Sequence, residues 1–119
     1  MEHYKLIMPE HLNHYGFLYG GNMLKWIDEF AYITANKELP GRNFVTIALD
    51  NVMFRKAVRV GEIIRFVVER ARLGTTSVQY NVKAYGTRCD AESGEVLFET
   101  RITFVSVDEN GKKKPIQVN

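Results

Sequence analysis

The residue that most strongly suggests chemistry is an aspartate inside an apolar helical stripe. Asp28 lies between Leu24 and Ala31, in a segment whose apolar residues recur at three- and four-residue intervals, as they do on one face of a helix. A carboxylate on such a face is in a low dielectric, where its charged form is costly unless it has a partner. Asp28 is therefore predicted to be a catalytic acid or base, and the structural alternative is a cap or a buried ion pair. Its neighbour Glu29 points about 100° away on a helix and is predicted to be a surface charge.

A glycine-rich segment leads directly into this helix. It runs from Gly16 to the pair Gly20 and Gly21. Glycine allows the backbone to approach a ligand closely, and the first N–H groups of a helix lack internal partners and favour negative charge. Gly20 is predicted to line a binding site, and the Gly21 N–H is predicted to stabilise an oxyanion. The structural alternative is that the pair only makes a tight turn.

A third group of polar residues precedes the glycines. An amide such as Asn13 can donate to a carbonyl or orient a water molecule, but it cannot act as a general base. His11 and His14 could be bases or, together with His3, metal ligands. Zinc sites generally need three or four ligands in fixed geometry, and no metal site is predicted here.

One helix and five strands are predicted to position these groups. A strand at residues 3–8 and a loop precede a helix from Gly21 to about Lys37, which Pro40 and Gly41 terminate. Alternating apolar residues then indicate strands, and these are placed at residues 43–52, 62–72, 76–85 and 95–107. The order predicts an α+β fold with an antiparallel sheet wrapped around one long helix, forming a single domain over residues 1–119. Such a sheet has two exposed edges, and pairing two copies edge to edge would cover them.

Composition excludes several classes of function. The chain has 119 residues and a net charge of +2, without a basic stripe or a nucleic-acid motif, so no nucleic-acid partner is predicted. The single cysteine, Cys89, cannot form a disulfide within the chain. No signal peptide or membrane span is recognisable, and a cytoplasmic location is expected. The basic run of Lys112, Lys113 and Lys114 is either a solvated tail or an anion-binding segment.

The order of these motifs resembles the acyl-CoA thioesterases of the hotdog fold, over nearly the whole chain. The matching motifs are Asn13-x-x-Gly16-x-x-x-Gly20-Gly21, Trp26-Ile27-Asp28-Glu29-x-Ala31, Asp50-Asn51-Val52-Met53-Phe54, Val60-Gly61-Glu62, Gly74-Thr75-Thr76-Ser77 and Phe104-Val105-Ser106-Val107-Asp108. The resemblance implies a five-stranded antiparallel sheet around one helix. It also implies a homodimer at minimum, with further assembly to a tetramer or hexamer.

The resemblance implies hydrolysis of acyl-CoA to a free acid and coenzyme A, without a separate cofactor. Asp28 from one subunit would act as general base or nucleophile, and Asn13 from the other would position the water or the thioester. The pantetheine arm would lie along Gly74, Thr75, Thr76 and Ser77. Apart from the resemblance, their charge makes Arg55, Lys56, Lys112, Lys113 and Lys114 candidate partners for the nucleotide phosphates, as charge-assisted contacts.

Two alternatives remain open at this point. One is an acyl-thioester dehydratase or hydratase of the same fold, which usually pairs a histidine with an acid. The predicted helix and the long strands after it contain no histidine, which argues against that chemistry. The other alternative is a protein that binds acyl-CoA without turning it over.

Overall fold

The computed structural model describes residues 1–87 and 96–116 of the chain. Its elements are β1 (Glu2–Leu6), α1 (Gly20–Glu38), β2 (Asn43–Phe54), β3 (Ile63–Leu73), β4 (Ser77–Thr87) and β5 (Val96–Val107), with a single 3-10 turn at Pro9–His11. The predicted order of one short strand, one long helix and four long strands is therefore confirmed. Cys89 and the turn predicted at residues 93–94 lie outside the described residues.

All five strands belong to one antiparallel sheet, in the order β1-β3-β4-β5-β2. Strand β4 follows the predicted alternation, because every second side chain is fully buried: Val78, Tyr80, Val82 and Ala84. These side chains share one core with the apolar residues of α1. The structure thus confirms a sheet wrapped around a single helix, the architecture of the hotdog fold.

Helix α1 buries one face rather than its whole circumference. The residues on that face are Met23, Trp26, Ile27, Ala31, Thr34 and Ala35. Asp28 follows Ile27 by about 100° around the helix, which places it on the flank of this face, where it is half-buried. The expectation that Asp28 lies within the buried stripe was therefore wrong. The buried face of α1 includes Ile27 but not Asp28, which lies at the border of that face. The helix ends where Gly41, with a φ of 81°, reverses the chain.

The two edges of the sheet differ in length and in composition. Strand β1 has five residues, whereas β2 has 12. Strand β2 also leaves large apolar side chains exposed in the single chain: Val45, Ile47, Val52, Met53 and Phe54. Within the described part of the chain, no helix is both long and apolar enough to span a membrane.

Candidate active site

The carboxylate of Asp28 is held by a residue that the sequence did not single out. Thr46 of β2 donates a hydrogen bond of 2.6 Å from Oγ1 to Asp28 Oδ1. The two residues lie in a shallow surface depression together with Lys25, Glu29 and Tyr32. The bond fixes one carboxylate oxygen at the flank of α1 that faces β2 and leaves Oδ2 open to a water molecule or a substrate.

Asn13 shapes its own loop through its carbonyl oxygen. Asn13 Oδ1 accepts hydrogen bonds from the backbone N–H groups of Tyr15 (2.9 Å) and Phe17 (3.2 Å). Its backbone N–H donates to the Phe17 carbonyl at 2.7 Å. Among the residues that the structure describes, none accepts a hydrogen bond from Asn13 Nδ2. The loop thus occupies Oδ1 and leaves Nδ2 available as a donor, and the role of the amide toward a substrate stays a prediction.

The loop before α1 places the two glycines at the start of the helix. The N–H groups of Asn22 and Met23 donate to the Tyr19 carbonyl, at 3.0 and 3.4 Å. No acceptor for the N–H groups of Gly20 and Gly21 is found in residues 1–87 and 96–116, as expected at a helix N-terminus. A Cβ atom at Gly21 would lie 2.6 Å from Tyr19 Cε1, so any other residue at this position would displace the exposed Tyr19 ring.

A cavity of about 440 Å³ opens beside these glycines. Its lining residues are Asn13, Phe17, Leu18, Gly20, Met23, Phe54, Arg55, Lys56, Ala57, Val58, Leu97 and Phe98. Four of the residues predicted for the site, Asn13, Gly20, Arg55 and Lys56, therefore meet in one place. Asp28 is not among them.

Within one protomer the predicted catalytic groups are separated along β2. Thr46, which contacts Asp28, lies near the beginning of the strand, and Phe54, which lines the cavity, lies at its end. Thr46 pairs with Phe104 and Phe54 with Phe98 on β5, so six residues of regular strand, about 20 Å, separate the two positions. Gly21 and Asp28 are also two helical turns apart, about 10 Å along the axis. One protomer alone does not bring Asn13, Gly21 and Asp28 to the same substrate atom.

The residues predicted for coenzyme A are also divided between two ends of the sheet. The turn formed by residues 74–77 is tied to the C-terminal segment, because the Ile116 N–H donates to the Thr75 carbonyl at 2.7 Å. Ser106 joins both parts: its N–H donates to the Thr76 carbonyl, and its carbonyl accepts from the Lys114 N–H, each at 2.8 Å. The basic segment 112–114 therefore has an ordered backbone, and its contact with an anion stays a prediction. Its backbone is held on β5, and its side chains are exposed.

Arg55 and Lys56 lie at the opposite end of β5 from the basic segment. The Arg55 N–H donates to the Leu97 carbonyl at 2.9 Å, while Lys113 pairs with Val107. The two positions on β5 are about 30 Å apart. Arg55 also forms a surface ion pair with Glu99, at 3.4 Å. The two basic groups cannot contact one phosphate within a single protomer.

The three histidines do not converge on a common point. His3 stacks on Phe30 with ring centroids 4.7 Å apart, His11 packs edge-on against Trp26, and His14 lies over Tyr15. In the described ranges, no three histidine, cysteine, aspartate or glutamate side chains come together in a way that could hold a metal ion.

Comparison of the sequence with known proteins gives consistent matches. Mouse acyl-coenzyme A thioesterase 11 is 29% identical over 114 residues, which cover 96% of this chain and 19% of the mouse protein. The uncharacterized acyl-CoA thioester hydrolase YkhA of Bacillus subtilis is 28% identical over 110 residues, which cover 92% of this chain and 63% of that protein. The chain thus spans less than two thirds of the length of these relatives.

Solved structures share the fold over nearly the whole chain. The hexameric thioesterase y2039 of Yersinia pestis superposes with a TM-score of 0.88 and 25% identity, covering 98% of this chain and 93% of that one. The acyl-CoA hydrolase of Staphylococcus aureus, solved with butyryl-coenzyme A and coenzyme A, gives a TM-score of 0.82 and 29% identity and covers 98% of this chain and 68% of that one. That hydrolase has also been solved as alanine variants of one aspartate, one threonine and one asparagine.

The family model that matches this sequence is the thioesterase superfamily, over residues 15–88. The matched stretch contains the glycine loop, α1 and strands β2, β3 and β4. It therefore includes Asp28 and Thr46, and it begins two residues after Asn13. With the hotdog architecture already seen in the structure, this match shows that the chain belongs to the thioesterase superfamily.

Proposed function

We propose that this protein hydrolyses acyl-CoA to a free acid and coenzyme A, at a site that two copies complete by pairing through β2. One observation carries the proposal: the predicted catalytic groups lie at opposite ends of an exposed edge strand. The groups at one end are a carboxylate and a threonine, and those at the other end are hydrogen-bond donors beside an apolar cavity.

Antiparallel pairing of two β2 strands about a two-fold axis would reunite these groups. The end of one strand, at Phe54, would then lie beside the beginning of the partner strand, at the partner's Thr46. Asn13 and Gly21 of one protomer would approach the partner's Asp28, and the symmetry would create two equivalent sites. In this arrangement, the Asp28 and Asn13 of each site come from different subunits, as the resemblance implies.

The composition of β2 supports pairing at this edge. A long strand with unpaired backbone groups and exposed apolar side chains is a template for pairing with another chain. Proteins that leave such an edge free usually protect it with lysine, proline or a short length. Strand β2 has no lysine or proline, and a second copy is the simplest cover.

The chemistry follows from the groups that would meet. Asp28 Oδ2 accepts a proton from water as the water oxygen attacks the thioester carbonyl carbon. The Gly21 N–H and Asn13 Nδ2 donate to the developing oxyanion. The C–S bond then breaks, and the coenzyme A thiolate takes the proton from Asp28. Thr46 Oγ1 donates to Asp28 Oδ1 and thereby orients the carboxylate.

Direct attack by Asp28 on the carbonyl carbon is the alternative route. It would form a mixed anhydride between Asp28 and the acyl group, with release of coenzyme A before water enters. Mass spectrometry of enzyme quenched in acid during turnover separates the routes. An acyl adduct on the peptide that contains Asp28 supports nucleophilic attack, and its absence during a confirmed steady state supports general-base action.

The relatives support both the reaction and the choice of residues. The Staphylococcus aureus relative is an acyl-CoA hydrolase solved with butyryl-coenzyme A. Its substituted asparagine precedes its substituted aspartate by the same number of residues as Asn13 precedes Asp28. Its substituted threonine follows the aspartate at one residue less than the separation between Asp28 and Thr46.

The same pairing would assemble a coenzyme A site from two protomers. Arg55 and Lys56, which follow β2, would come to the same end of the sheet as the partner's basic segment 112–114, which lies across β5 from the start of its own β2. The turn 74–77 lies on that side and would accompany the pantetheine arm. These basic side chains would bind the nucleotide phosphates as charge-assisted contacts.

We propose a homodimer as the minimal active unit and a hexamer, built as three dimers, as the complete assembly. The Yersinia pestis neighbour is hexameric. No nucleic-acid or membrane partner is proposed. The cytoplasmic location expected from the sequence stays a prediction.

Mixing two inactive variants tests the shared site. Asp28→Asn and Asn13→Ala proteins are each assayed alone, and then after unfolding and refolding together. Random assortment makes about half of the dimers mixed, each with one site of wild-type composition, so about one quarter of wild-type turnover of butyryl-CoA is expected. Recovery requires that Asp28 and Asn13 act from different protomers.

A matched mixture serves as the control. Asp28→Asn refolded with the Asp28→Asn/Asn13→Ala double variant forms no site with Asp28 and must stay inactive. If the first mixture also stays inactive while the wild type refolds with full activity, the shared site is wrong. If the wild type binds acyl-CoA without turnover of any chain length, the protein is a binder rather than an enzyme.

A further inference from the structure

The cavity beside Gly20 has an apolar floor and a polar opening. Its floor residues Met23, Val58, Leu97 and Phe98 are at most 7% exposed, so the cavity is closed at its inner end. Its polar lining residues include Asn13, and Gly20 at the start of α1 also lines it. A ligand that fits this arrangement has an apolar chain to place inside and a carbonyl to leave at the opening.

Phe54 forms one wall of this cavity. Its ring packs edge-on against Phe98, with centroids 4.7 Å apart and an interplanar angle of 67°. On its other side, a Cβ atom placed on Gly20 would lie 3.1 Å from Phe54 Cζ. The ring therefore fills the space between the helix start and β5 that a side chain at position 20 would otherwise occupy. Since Phe54 is the last residue of β2 and 54% exposed in the single chain, removing its ring would extend the cavity toward the edge of the sheet.

We propose that this cavity is the acyl subsite and that Phe54 sets the longest chain it accepts, which makes straight-chain acyl groups of short to medium length the preferred substrates. The proposal rests on the proposed function for the identity of the ligand. The closed floor stops a chain inside the protein, and Phe54 blocks the lateral route by which a longer chain would leave. A longer chain would keep part of its apolar surface in water and gain nothing from its additional methylenes.

A binding series tests this inference without turnover. S-alkyl thioether analogues of coenzyme A, which cannot be hydrolysed, are titrated calorimetrically in order of chain length. For wild-type protein, affinity should rise by about fourfold per methylene, as expected for about 0.8 kcal/mol per buried CH₂, and then reach a plateau. In Phe54→Ala the plateau should move to chains several carbons longer, and in Phe54→Trp to shorter chains.

Met53→Ala is the matched control. Met53 precedes Phe54 on the same edge, has a similar exposure of 52% and does not line the cavity. In Met53→Ala, affinity should reach its plateau at the same chain length as in the wild type. An unchanged plateau in folded Phe54→Ala, or the same displacement in Met53→Ala, would overturn the role of Phe54. Because the readout is affinity, a wild type that binds the series but hydrolyses no acyl-CoA would contradict the proposed function and leave this inference supported.

Discussion

The two edge strands of the sheet, β1 and β2, differ in length and in their contacts with the rest of the chain. Strand β1 is tied to its neighbours within the chain: Glu2 forms an ion pair with Arg65 of β3 at 2.9 Å, and the His3 ring stacks on Phe30 of α1. Strand β2 is more than twice as long and exposes a row of apolar side chains. The edge at β1 is short, whereas the edge at β2 offers a long apolar surface to a partner.

The chemistry is placed beside the uncovered edge. Asp28 and Thr46 flank the beginning of β2, and Asn13 and the cavity flank its end. The β1 edge has none of the residues proposed for catalysis. Damage to the two edges should therefore have different consequences, first for activity and then for stability.

The largest effect should come from the carboxylate beside β2. Asp28→Asn keeps the shape of the side chain but removes the group that accepts a proton. We expect kcat for butyryl-CoA to fall by about 100-fold or more, the range that general acid–base groups contribute. Circular dichroism and sedimentation should match the wild type. A near-normal kcat would remove Asp28 from the mechanism.

The next effect should come from the β2 edge itself. Ile47 is the most exposed apolar residue of that strand, at 58%. In the proposed pairing Ile47 lies opposite the partner's Met53, so Ile47→Asp would place an unpaired carboxylate against an apolar side chain in the interface, which disfavours pairing. We expect monomers by sedimentation velocity and a loss of activity of at least about tenfold, because neither protomer then holds a complete site.

Leu6→Asp provides the comparison on the β1 edge. Leu6 has a similar exposure, 49%, and lies on the outer edge strand away from the proposed site. This variant should retain dimers with wild-type kcat, even if higher assembly is lost. Equal losses of activity in both variants would show that the two edges do not differ in function.

A smaller effect should follow from removing the Thr46 hydroxyl. Thr46→Val deletes the hydrogen bond to Asp28 and keeps the branched side chain. A hydrogen bond to a charged group contributes about 1.5–3 kcal/mol, and we expect kcat to fall by about tenfold. Thr46→Ser should recover most of that loss. If Thr46→Val has wild-type kcat and an unchanged pH profile, the contact does not position the carboxylate.

The smallest effect should appear as pH-dependent stability at the β1 edge. Burial of the His3 ring, together with the nearby N-terminal ammonium, lowers the pKa of His3 below its ordinary value of 6.5. Below pH 6.5 the unfolded chain therefore binds a proton that the folded chain does not. The free energy of unfolding decreases as the pH is lowered from 6.5 to the folded-state pKa of His3. We expect Tm to fall by a few degrees at most in that window.

His3→Gln and His14→Gln separate this source from the other histidines. His3→Gln should flatten the dependence of Tm on pH below 6.5, whereas His14→Gln, an exposed position, should keep it. Activity at neutral pH should be unaffected by either change. A wild-type slope in His3→Gln would assign the acid sensitivity elsewhere.

The sequence predicted the parts of the fold that depend on periodicity. Alternation in β4 and the three- and four-residue spacing in α1 are direct consequences of burying one face of a strand or a helix, and both were confirmed with boundaries correct to about two residues. The sequence also placed Gly20 and Gly21 correctly at the start of α1. A glycine pair is a local signal, because glycine allows backbone conformations and close approaches that other residues do not.

The parts that sequence patterns missed depend on contacts between elements. Thr46 is one threonine among several, and only the packing of β2 on the flank of α1 brings its hydroxyl to Asp28. The basic segment 112–114 has no apolar alternation, and backbone hydrogen bonds to β5 hold it in place. The separation of Arg55 from that segment likewise follows from strand register, which no local pattern encodes.

A single strand that carries half of a site at each end also constrains how such a protein can diverge. In a tandem duplication of this domain, the two copies would pair through their β2 strands within one polypeptide. One copy could then lose Asp28 and the other could lose Asn13 while one of the two sites stayed intact. Selection would act on opposite halves of the two copies, so that each domain alone would look degenerate and the pair would remain an enzyme.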